Sequence, residues 1–158
     1  MTEDHKWTPL KRVRIEARPT GLWSVVTDYV PGSRLLRFSL LDKDPQNQPV
    51  PLSWNPADGV RCGADGIGIA PGKSGLLTGG ALYGALIAKI GGSSADIPDA
   101  SQPTSPYGSK RVFGVGSHCV ISLASTEGGP LFLTMNDNPE GFVNHAGALH
   151  VLIEEYST

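Results

Sequence analysis

The chain has 158 residues, and 13 Lys and Arg against 15 Asp and Glu give a formal net charge of -2. That length favours one domain, able to bury roughly 70% of the surface its unfolded chain exposes. Charge so balanced, with no face of clustered Lys and Arg, excludes the electrostatic footprint of a nucleic-acid binder. Twenty Gly and 13 Pro, about a fifth of the chain, suit short strands joined by turns better than long helices.

No apolar run approaches the roughly 18 residues of a membrane span. The polar stretch Met1 to Lys11 lacks the apolar core of a secretory signal. The expectation is no membrane insertion, and a cytoplasmic location or export without a cleaved signal peptide. Cys62 and Cys119 are then expected reduced.

In chain order, residues 1–10 read as an N-terminal tail and residues 11–158 as a single domain. Arg12 to Ala17 predicts a first strand, with Arg12 and Arg14 on its solvated face between Val13 and Ile15. Trp23 to Val30 predicts a second, closed by Pro31-Gly32-Ser33. Arg34 to Leu41 predicts a third, with Leu36, Phe38 and Leu40 on one face. Asp42 to Pro51 is a polar loop. A short apolar piece at Leu52 to Trp54 leads into Asn55 to Gly80, which is Gly-rich and lacks periodicity. A structureless stretch of that length in a small domain is usually functional.

Gly84 to Ile90 reads as a buried strand, and Ser93 to Lys110 as another polar loop. Arg111 to Val115, His118 to Ala124, Pro130 to Met135 and Ala148 to Glu154 read as four more strands, with a turn at Gly128-Gly129. In an extended strand His118 and Cys119 point to opposite faces, so they do not form a thiol–base pair. About eight antiparallel strands predict an all-β sandwich, jelly-roll or Ig-like.

The segment Asn136 to Gly147 is the most informative. It places Asp137, Asn138, Asn144 and His145 in one loop between two strands. Carboxylate, amide and carbonyl oxygens are the ligands that Ca²⁺ prefers, but Asn, Asp, Pro and Gly also populate ordinary turns. A second polar group surrounds Asp58 and Asp65 in a Gly-rich stretch. No Gly-x-Ser-x-Gly, Walker loop or His-Glu-x-x-His is present. The expectation is therefore a non-enzymatic protein.

The order of motifs resembles that of the LecA-type (PA-I) galactophilic bacterial lectins, calcium-dependent galactose-binding jelly rolls. The similarity lies in Trp23 to Tyr29 with Val30-Pro31-Gly32-Ser33 and Leu35-Leu36, in Gly84-Ala85-Leu86-Ile87-Ala88-Lys89-Ile90-Gly91, and in Asn136-Asp137 followed by Asn144-His145-Ala146-Gly147. Together these motifs run from about Val13 to Ile153. The resemblance implies a jelly roll and a calcium ion that bridges protein and a galactose-type glycan. Asp137, Asn144, a carbonyl of Gly141, a carbonyl near Ala57 and the position of His145 would hold the ion. Asp65, Asn138, His145 and Cys62, with Asp137 and Asn144, would line the sugar.

The chain departs from that pattern at several of these positions. His145 stands where the family has a second Asn, and imidazole nitrogen suits Ca²⁺ poorly. Cys62-Gly63 replaces a His-Pro pair, Asp65 a Gln, Gly141 a Thr and Ala57 a Tyr. Shallow sugar sites are weak singly, so a homo-oligomer is expected from avidity. The alternative function is a structural or protein-interaction domain on the same scaffold with a degenerate sugar site.

Overall fold

The computed structural model describes residues 6–68, 76–94 and 111–156. Most of the polar loop expected at Ser93 to Lys110, and Met1 to His5 of the expected tail, lie outside the described residues. Among the described residues ten strands form: β1 (Trp7–Glu16), β2 (Ser24–Val30), β3 (Leu35–Leu40), β4 (Ser53–Ala57), β5 (Val60–Gly63), β6 (Leu86–Ile90), β7 (Arg111–Gly114), β8 (His118–Ser122), β9 (Gly129–Met135) and β10 (Ala148–Tyr156). A 3-10 helix, Pro139–Asn144, interrupts the connection between β9 and β10.

Two four-stranded sheets run in the orders β1-β10-β3-β8 and β2-β9-β6-β7, and β4 and β5 pair apart from them. Every ladder between named strands is antiparallel. Without the β4–β5 hairpin, successive strands among the remaining eight change sheet except at β6 and β7, as in two interleaved Greek keys. That is the jelly-roll order. The eight expected strands are these eight, and the hairpin raises the count to ten.

Alternation explains why each sheet folds as it does. In β3, Leu36 and Phe38 are fully buried between partly exposed neighbours. In β1, Ile15 is buried while Arg12 and Arg14 are exposed. These inward side chains meet Leu86, Ala88 and Ile90 of β6 and Leu131, Leu133 and Met135 of β9 in one core between the sheets. Full burial of such a side chain contributes about 1.5–3 kcal/mol.

Strands β6 and β9 are buried on both faces. Their outward Ile87 and Phe132 pack with Trp23, Leu77 and Phe142, which loops lay over that sheet. Lys89 is fully buried on the same face. Its ammonium donates to Ser93 O at 2.5 Å and lies 4.5 Å from the Phe132 ring centroid and 5.0 Å from that of Trp23. A buried cation is tolerated there because carbonyl and ring faces replace water.

Strand β1 begins at Trp7, inside the expected tail. Pro9 removes a donor, but β1 is an edge strand, where that loss falls on the unpaired side or at a bulge. The register shifts between Pro9 and Lys11, and pairing then runs from Lys11↔Ile153 to Glu16↔Ala148. Trp7 is held by an edge-to-face contact with Tyr156 at 5.3 Å and by the Arg37 guanidinium, 4.3 Å from its ring centroid. Among the described residues no helix is long and apolar enough to cross a membrane.

Candidate functional site: the loop between β9 and β10

Leaving β9, Asn136 is fully buried. Its amide donates to Thr78 O at 3.0 Å and Ala81 O at 2.9 Å, and its oxygen accepts from Thr78 N at 3.1 Å. Its backbone exchanges hydrogen bonds with Ala85 O and Gly84 N. Asn136 thus fastens the 78–85 segment to the end of β9.

Asn138 then caps the 3-10 helix. Its side-chain oxygen accepts from Gly141 N at 2.9 Å, and Pro139 follows it. An Asn cap before a Pro is a common helix start, because Pro lacks the N–H that the first turn leaves unpaired. The turn carries Phe142 into the outer cluster and leaves Val143 and Asn144 exposed. Ala146 exchanges backbone hydrogen bonds with Asn55 of β4, N to O at 3.0 Å and 2.8 Å. The loop is therefore fastened to the hairpin.

The centre of the loop is a buried pair. Asp137 and His145 side chains have no solvent exposure, and Nε2 of His145 lies 2.9 Å from Oδ2 of Asp137. Nδ1 of His145 lies 2.8 Å from the carbonyl oxygen of Ala17. A carbonyl only accepts, so Nδ1 carries a hydrogen and donates it. Oδ1 of Asp137 accepts from Asn138 N at 2.7 Å. The Phe142 ring centroid is 4.4 Å from that of the imidazole. Gly141 packs directly on the carboxylate: a Cβ there would fall 2.1 Å from Oδ2.

These donors do not fit a calcium ion that bridges protein and sugar. Such an ion needs a carboxylate reachable from solvent and six to eight oxygens around it. Asp137 is sealed from solvent, and its Oδ2 lies 2.9 Å from an imidazole nitrogen of His145. Among the described residues no three His, Cys, Asp or Glu side chains converge as a metal-ligand group.

The other expected site residues are dispersed. Asn144 is exposed at the end of the 3-10 turn. Ala57 pairs with Val60 at the tip of the hairpin, while Asn55 is the β4 residue that meets the loop. Asp65 turns both carboxylate oxygens to Ser117, accepting from its N at 2.8 Å and its Oγ at 3.3 Å, and so ties the end of β5 to the β7–β8 turn. Cys62, expected beside the sugar, is buried in the core with its thiol donating to Gly84 O at 3.6 Å. Trp54 Nε1 donates to that same oxygen at 2.8 Å.

Both cysteines are free. Burial raises the Cys62 thiol pKa, against a hydrogen bond involving Trp54 that lowers it. Burial raises that of Cys119 as well, against the charge of Arg111. His118 is exposed and Cys119 half-buried, on opposite faces of β8, as strand geometry predicts.

Sequence reasoning named Asn136, Asn55 and Ala17 within motifs or segments but gave none of them a role in this site. Asn138-Pro139 was a legible signal for the 3-10 turn. Nothing local marks Ala17, which acts through a backbone carbonyl far along the chain from His145. No protein-family model matches the chain, and no curated protein matches it.

Proposed function

We propose that this chain is a non-enzymatic carbohydrate-binding protein, a lectin on a jelly-roll scaffold. It takes a galactose-type glycan at the rim formed by Asn138, Val143, Asn144 and the adjoining β4. The observation that supports this reading is a polar, exposed loop held rigid from beneath. Phe142 and His145 are buried, while Asn144 is exposed and Val143 is 61% exposed. A rigid loop binds with less loss of conformational freedom.

The chemistry follows from the residue types. Each sugar hydroxyl donates and accepts, and so does a side-chain amide. Asn144 engages hydroxyls directly, with the half-buried Asn138 holding the turn beneath it, and Val143 covers an apolar C–H face. Binding by direct hydrogen bonds alone is weak, so a homo-oligomer that presents several rims gains by avidity. A binding role rather than catalysis is supported by the placement of the two carboxylates that the resemblance assigned to the site. Asp137 is sealed, and Asp65 is engaged with Ser117.

A second reading is a structural or protein-interaction domain with a degenerate sugar site. The burial of both Cys62 and Asp137 favours it. Titration calorimetry with a methyl galactoside in chelator separates the two. Saturable binding, reduced about tenfold by Asn144→Ala (the loss of roughly one hydrogen bond) at unchanged melting temperature, supports the lectin. No heat at any glycoside concentration, with and without calcium, supports the second reading.

A further inference from the structure

We infer that the imidazole of His145, rather than a bound cation, neutralises and orients the buried carboxylate of Asp137, so that the chain itself locks the 136–147 loop. The inference concerns the loop's own order and stands whether or not a glycan binds.

A carboxylate without solvent exposure needs a partner of opposite charge or must be neutral itself. His145 meets that need in either way. Its Nδ1 hydrogen is fixed on Ala17 O, 2.8 Å away. One further hydrogen lies between Nε2 and Oδ2, 2.9 Å apart. If nitrogen holds it, the pair is imidazolium and carboxylate. If oxygen holds it, the pair is imidazole and carboxylic acid. The net charge is zero in both cases, so burial requires no ion.

The same ring joins the loop to a segment distant in sequence. Asp137 follows β9, Phe142 belongs to the 3-10 turn, and Ala17 opens the connection from β1 to β2. Ala17 N donates back to Gly147 O at 2.9 Å, which closes the loop onto β1 from its other end.

The test uses the full chain, with melting temperature and amide hydrogen exchange measured in calcium chloride and in chelator. The wild type is expected to give the same melting temperature and the same exchange in both. His145→Ala is expected to melt lower and to speed exchange at Asn138, Gly141 and Ala146 at least tenfold. His145→Asn is too short to reach both Ala17 and Asp137. It is expected to melt lower in chelator and to be raised by calcium, which can reach the carboxylate once the ring is gone. A calcium-induced rise in wild-type melting temperature overturns the inference. So does a His145→Ala variant whose loop amides exchange at the wild-type rate. Because the first of these outcomes needs no variant, a substitution that fails to fold does not shield the inference. Neither readout involves sugar, so failure of the lectin reading shows separately.

Discussion

Gly141→Ala tests the geometry beneath the loop most sharply. The added Cβ would lie 2.1 Å from Oδ2, 2.7 Å from Cγ and 3.0 Å from Oδ1 of Asp137. Those atoms belong to a short side chain held by Asn138 N and His145 Nε2, so they have little freedom to give. Overpacking alone costs about 1–3 kcal/mol. Displacing the carboxylate from its buried partner brings the cost to about 3–5 kcal/mol. For a chain of this size that corresponds to a melting temperature lower by about 6–20 °C. Urea unfolding followed by tryptophan fluorescence reads it as a lower midpoint at unchanged slope. Gly79→Ala is the control, because a Cβ there meets no heavy atom within 4 Å. If Gly141→Ala stays within about 0.5 kcal/mol of wild type, the range of an ordinary surface change, the packing of Gly141 on Asp137 is refuted.

Further outcomes follow from the same contacts. Asp65→Ala removes both Ser117 contacts at an exposed turn, so it should cost about 1 kcal/mol and leave glycan binding unchanged; a loss of binding would return Asp65 to the sugar site. Native Cys62 should resist a thiol reagent until the chain unfolds, with Cys119 reacting first. Since burial holds both thiols protonated in the fold, the unfolded chain loses its protons first as pH rises. Stability is then full below the ordinary thiol pKa of about 8.5 and declines above it. A flat profile through that range in chemical denaturation contradicts the buried placement.

The parts of the fold written as local alternation were legible in the sequence. Leu36 and Phe38, or Val13 and Ile15, announce their faces because each strand has one side in the core. The β4–β5 hairpin was not, because Pro56 interrupts its first strand and the surrounding Gly-rich stretch masks any period. Its one clear signal was Asp58-Gly59, a pair suited to a two-residue hairpin turn, and Gly59 does adopt a positive φ of 73°. The start of β1 was hidden by Pro9, which an edge strand tolerates. In the candidate site, Asp137 and His145 were singled out by type, but their union was not. It depends on a 3-10 turn that folds residue 145 back onto 137 and on a carbonyl from the first strand's end. Cys62 and Asp65 were placed by resemblance at positions where the chain has different side chains, and those side chains found other partners.

Chemical-shift mapping of the isotope-labelled chain with a methyl galactoside, in the presence of chelator, addresses the central claim most directly. A carbohydrate-binding rim that needs no ion predicts saturable shifts confined to Asn138–Ala146 and the neighbouring residues of β4. Shifts that arise only after calcium is added, or that map away from this loop, would contradict it.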